Sequence, residues 1–157
     1  MAACTHVEGL INQMYEKDTS AAFRALQELE QISDETGLLY PYTDKFVDMI
    51  ANEKYVMRVR GFRLFCKQAK WDTDCKLDEN IDEALRILSD VKPTAVRQAL
   101  AALKELITYK PDLRDAVNRS VKNINYMKYK DTMHSLIQKD IKELIDVINT
   151  VRCQNEN

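Results

Sequence analysis

The sequence predicts an all-α fold made of repeated helix–turn–helix units, and three observations carry that prediction. Only three glycines and three prolines occur in 157 residues, of which 45% are apolar and 31% charged. That composition has too few turn formers for many short strands and suits helices joined by tight turns. The chain also repeats: FRALQEL from Phe23, VRGFRLF from Val59, VRQALAA from Val96 and MHSLIQK from Met133 align at offsets of 36, 37 and 37 residues. Finally, the helices upstream of these blocks keep the same register. Ile11, Val47, Ala84 and Val121 stand thirteen residues before Arg24, Arg60, Arg97 and His134, and Met14, Ile50, Ile87 and Ile124 stand ten before. Two apolar positions three apart, recurring four times, describe one buried helical stripe per unit.

Each unit reads as a short helix, a turn and a longer helix, with approximate bounds 4–36, 38–72, 77–110 and 111–152 in a single domain spanning residues 1–157. In the third unit, Asp78 to Ser89 forms the first helix, DVKP the turn, and Thr94 to Tyr109 the second helix. Pro93 suits a helix start, where its missing N–H costs nothing. Pro41 and Pro111 likewise precede helical patterns. In the fourth unit, Ile137, Ile141, Leu144, Ile145 and Ile148 form a single apolar stripe backed by charged residues. A one-sided helix is what a terminal repeat needs, because its outer face meets water.

A chain of this length buries enough surface to fold without a disulfide or metal staple. Cys4, Cys66, Cys75 and Cys153 are scattered without a CxxC pair, and His6 and His134 are far apart. Reduced thiols and no metal are therefore expected. The N-terminus has no basic start and no continuous apolar run, so a soluble, cytoplasmic protein with no membrane contact is expected.

A helix, a turn with Asp and Pro, then Val-Arg followed by small and apolar residues resembles the HEAT class of helical repeats, and ILSDVKPTAVRQALAALKEL is the best match. Elsewhere the pattern thins: IANEKYVMRVRGFRLF keeps Val-Arg without the proline, the first unit has Phe-Arg and the fourth Met-His. The whole chain is similar to small bacterial HEAT-like proteins. The resemblance implies an armadillo-type α-α superhelix, right-handed, whose second helices line a concave groove. It implies no particular activity, since such repeats serve unrelated partners.

On the helix Tyr55 to Lys70, the residues Arg60, Arg63, Lys67 and Lys70 fall in one stripe about 80° wide. Apolar residues flank that stripe on both sides, as expected for an interior helix, and Arg97 and Lys104 continue it in the next unit. Charge is segregated beneath a net of −2. Residues 54–76 hold seven basic and two acidic side chains, and 91–130 hold nine and three; residues 1–53 hold three and ten, and 77–90 hold one and five. These counts predict acidic charge on the convex surface and basic charge on the concave one. The expected function is a non-enzymatic interaction or scaffold module whose six stripe residues meet an acidic protein segment. Two alternatives stand beside it: a structural repeat protein in which Arg60 and Arg97 pair with neighbouring carboxylates such as Asp90 or Glu53, and a nucleic-acid-binding module. For the last, Trp71-Asp72 invites comparison with HEAT-like alkylpurine DNA glycosylases, although Asp72 also suits a helix cap. No phosphate loop, HExxH or GxSxG occurs, so no catalytic residue and no cofactor is assigned.

Overall fold

The computed structural model describes residues 2–156, with side chains as far as Arg152. Among them there is no strand; eight α-helices pack against one another as four consecutive pairs. The pairs are α1 (Ala2–Gln13) with α2 (Thr19–Glu35), α3 (Thr43–Ile50) with α4 (Tyr55–Lys67), α5 (Lys76–Ala84) with α6 (Pro93–Tyr109) through the 3-10 helix Leu85–Ser89 between them, and α7 (Arg114–Lys122) with α8 (Asp131–Glu156). The second helices are neighbours in chain order, α2 against α4, α4 against α6, and α6 against α8.

Local chemistry sets the boundaries. Asp18 caps α2 by accepting hydrogen bonds from the Ser20 and Ala21 N–H groups at 3.0 and 3.1 Å, which satisfies donors the first turn leaves open. Pro93 is the first residue of α6. Pro41 and Pro111 sit in short 3-10 turns that lead into α3 and α7. The first helix of the third unit is shorter than its periodicity suggests: α5 tightens into a 3-10 helix at Leu85–Ser89. That tightening still buries Leu85, Ile87 and Leu88, so the apolar stripe survives the change of pitch.

The repeat register identifies core. Of its eight apolar positions, Ile11, Met14, Ile50, Ala84, Ile87 and Val121 are buried, and Val47 and Ile124 pack partly buried against the core. Helix α4 is covered on both flanks, with Met57 and Leu64 buried on one and Val59, Phe62, Phe65 and Cys66 on the other. Gly61 lets α3 and α4 approach closely: a Cβ there would lie 2.5 Å from the Met49 Cβ and 2.7 Å from the Phe46 carbonyl oxygen. In α8, Ile137, Leu144 and Ile148 are buried and Ile141 and Ile145 partly so, while Gln138, Lys139 and Lys142 are exposed. No helix among the described residues is long and apolar enough to cross a membrane. Cys4, Cys66 and Cys75 are free thiols; Cys153 lies outside the described side chains.

Candidate binding site

The basic stripe forms, and it is interleaved with carboxylates from neighbouring units. Arg63 on α4 forks onto Glu30 of α2, its Nη2 at 2.6 Å and Nε at 3.1 Å from the two carboxylate oxygens, and also donates to Gln98 of α6. Lys67 reaches Asp34 of α2 at 2.7 Å and Glu105 of α6 at 3.1 Å. From α6, Arg97 meets Asp140 of α8 at 2.6 Å and Lys104 meets Glu143 at 3.0 Å. These charged rungs run across the second helices. Burial lowers the pKa of Lys67, but hydrogen bonds to its two carboxylates outweigh that and hold it above its ordinary value. The bond to Asp140 raises that of Arg97. Lys70 does not lie on α4, which ends at Lys67, but in the tighter 3-10 helix Gln68–Trp71 that follows; it is exposed, donates to the Asp34 carbonyl at 2.8 Å and lies over the rings of Trp71 and Tyr109.

This arrangement corrects the expected division of charge between two surfaces. The acidic first segment contributes Glu30 and Asp34 from a second helix, so acidic and basic segments interlock laterally on one face.

Arg60 differs from the rest of the stripe. It is 7% exposed. Its Nη1 donates to the Met14 carbonyl at 2.8 Å and contacts the Met57 sulfur at 3.5 Å. Among the described residues no carboxylate comes within ion-pair distance of it, and burial alone pulls its pKa below the ordinary arginine value. A buried cation with no counter-ion is costly. Asp90, one of the carboxylates considered for the repeat arginines, instead accepts the fork of Arg58 at 2.7 and 3.0 Å. Arg58 also donates to the Asn52 and Glu53 carbonyls. Residues 58 and 60 lie about 200° apart around a helix, so only Arg58 can face the turn of the third unit while Arg60 faces that of the first.

Arg60 lines a cleft of about 580 Å³ where the turns within the first three units meet. Tyr15 and Val91 are exposed in its wall at 52% and 76%, with Val56 at 36%, and Met14 and Met57 are buried behind them. Lys17, Lys54 and Lys92 lie on the rim with Glu16 and Glu53. Arg60 also borders a smaller hollow beside the exposed ring of Phe23.

Trp71 and Asp72 are occupied structurally. The Trp71 indole donates to the Ser33 carbonyl at 2.6 Å, and its ring packs over Gly37, 3.4 Å from where a Cβ would stand. The Asp72 side chain is fully buried and caps α5 by accepting from the Lys76 and Leu77 N–H groups. It also accepts from the Tyr40 hydroxyl at 2.6 Å and pairs with Lys110 at 3.2 Å. Burial, reinforced by that bond to Asp72, pushes the Tyr40 phenol up to about 12. Lys110 joins Asp72 to Asp78 at 2.6 Å, knitting the second and third units together. Of the histidines, His6 pairs with Glu28 and His134 bonds the Tyr129 carbonyl. No group of three or more His, Cys, Asp or Glu side chains among the described residues is placed to hold a metal.

Fold and surface together define an all-helical protein of four helix pairs, with a charge-matched face and one basic, apolar-walled cleft at the turns. Comparison with known proteins finds no family model, no curated protein and no solved structure that matches the chain. Sequence reading missed the cleft and the carboxylate half of the ladder. A signal for the ladder was present: Glu30 and Asp34 repeat the four-residue spacing of Arg63 and Lys67.

Proposed function

We propose that the chain is a non-enzymatic protein-interaction module, a short right-handed HEAT-like solenoid that docks an acidic segment of a partner at the Arg60 end of its groove. The observation that carries this reading is the difference in charge state along the stripe. Arg63, Lys67, Arg97 and Lys104 are each matched by a carboxylate of the same chain, whereas Arg60 is buried at a cleft without one. An incoming carboxylate would gain an unspent charge there and would have to displace a resident one along the ladder. The same matching favours a protein over a nucleic acid, because a phosphate track draws on many unneutralised cations. Trp71 and Asp72, already committed to links between units, support the non-enzymatic reading.

Fluorescence anisotropy with a labelled alternating Glu-Leu decapeptide tests the proposal, with the Gln-Leu peptide as control. Binding should weaken by about tenfold or more for the neutral peptide and for Arg60→Met, and Lys104→Gln should leave it unchanged. Equal binding of both peptides, or loss with Lys104→Gln but not with Arg60→Met, overturns it.

A further inference from the structure

The cleft is more specific than a patch of positive charge, because a buried cation and an apolar wall line it together. Arg60 enters from α4 with its guanidinium held at the Met14 and Met57 side by Nη1. Its Nε and Nη2 donate to nothing among the described residues. An arginine offering parallel N–H groups matches a carboxylate in a way a lysine cannot. Beside it on the same face of α4 stands Val56, four residues earlier, while Tyr15 comes from the turn after α1 and Val91 from the turn before α6; all three stay exposed. Large apolar side chains clustered in a concavity, with one buried polar group fixing orientation, are the usual make-up of a ligand site, and the volume lies in the usual range.

Charge complementarity sets the sign of the ligand. Lys17, Lys54 and Lys92 surround the mouth against Glu16 and Glu53, while Arg58 is already taken by Asp90. The Lys92 ammonium lies over the Tyr55 ring, 5.4 Å from its centroid, a contact that ties it to the start of α4. An anion is therefore attracted to the cleft, where Arg60 keeps Nε and Nη2 unpaired among the described residues and the Tyr15, Val56 and Val91 side chains offer apolar contact to whatever carries it.

We infer that this cleft recognises a carboxylate carried on an apolar body, supplied by the partner as an acidic residue next to a large apolar one, with the carboxylate on Arg60 and the apolar group against Tyr15, Val56 and Val91. The inference rests on the acidic-partner reading above and adds its anchor.

The test uses 3-phenylpropionate as the probe and 3-phenylpropionamide as its uncharged twin, followed by amide and arginine side-chain NMR shifts of the full chain. The acid should give saturable shifts at Tyr15, Val56, Val91 and the Arg60 Nε–H, with an affinity about tenfold or more above that of the amide. Arg60→Met should abolish the difference between the two probes. Because Arg60 is buried, Val91→Asp serves as the second variant: its side chain is 76% exposed, so the fold is kept while wall and charge are both spoiled, and acid binding should fall by a similar factor. Equal binding of acid and amide, or shifts confined to the ladder residues, overturns the inference. If the acid seats in the cleft and the Glu-Leu peptide does not bind, the anchor chemistry stands and the protein-partner reading fails. If the peptide binds through Arg60 and the acid does not, the partner reading stands and this anchor fails.

Discussion

Asp90 is predicted to be a principal polar tie of the fold, and removing it should show what a buried fork between units is worth. Its side chain is 3% exposed, against 19% for Arg58. It accepts two hydrogen bonds from that guanidinium and one from the Lys92 N–H, and its carbonyl accepts the Tyr129 hydroxyl from the fourth unit. Breaking a buried pair by deleting one partner costs about 3–5 kcal/mol, because the other charge is left without its counter-ion. Arg58 keeps the Asn52 and Glu53 carbonyls, which places Asp90→Ala at the lower end, about 3 kcal/mol. For a chain of this size that lowers Tm by about 6–12 °C. Urea unfolding followed by circular dichroism gives the stability, and the cycle with Arg58→Met and the double variant gives the coupling, expected at about 1.5 kcal/mol or more. Coupling below about 0.5 kcal/mol would refute the reasoning. The pH dependence supplies a second sign. Burial raises the Asp90 pKa, but the Arg58 fork, the Lys92 N–H and the Arg58 charge outweigh it and hold the carboxyl below its ordinary value. Its contribution is therefore complete above the unfolded value of about 4 and disappears as pH falls through the lower folded one. Asp90→Asn should flatten the acid limb of the stability profile relative to the wild type.

Two further outcomes follow from packing and charge. Gly61→Ala should destabilise by about 1–3 kcal/mol, since the added methyl forces α3 from α4 where Met49 and the Phe46 backbone leave no room; an unchanged urea midpoint would contradict the close approach. Arg63→Glu with Lys67→Glu sets new carboxylates against Glu30, Asp34 and Glu105. It should lower stability by about 1–2 kcal/mol, with part of the loss recovered in 1 M salt, and a melt indistinguishable from wild type would count against the ladder.

Particular residues show what was legible in the sequence. The four pairs were readable because Ile11, Met14, Ile50 and Ala84 are buried by a period that the chain states openly. The α4 stripe was readable for the same reason: position around a helix depends only on spacing. Partnerships were less so. Arg63 meets Glu30 across 33 residues and Arg97 meets Asp140 across 43, separations fixed by how one unit sits on the next and not by any single helix. The assignment of Asp90 to a Val-Arg arginine was displaced to Arg58 because repeat alignment marks a position without saying which way it points. The cleft was invisible because Tyr15 and Val91 come from turns, where no hydrophobic period exists, and only the packing of three helix pairs brings them to Val56 at the start of α4.

The ladder has a consequence for how the molecule comes apart. Each rung joins different units, so a unit leaving the end strands charges on the surface it uncovers. The terminal helix α8 is tied to α6 through Arg97–Asp140 and Lys104–Glu143 in addition to its apolar stripe, and α2 is tied to α4 through Glu30 and Asp34. Coupling between neighbouring helices of this kind decides whether a packed set of helices opens piecemeal or as one body. Added to the buried Ile137, Leu144 and Ile148, these pairs disfavour an opened α8, so hydrogen exchange from its interior should be slower than that of a freely fraying end.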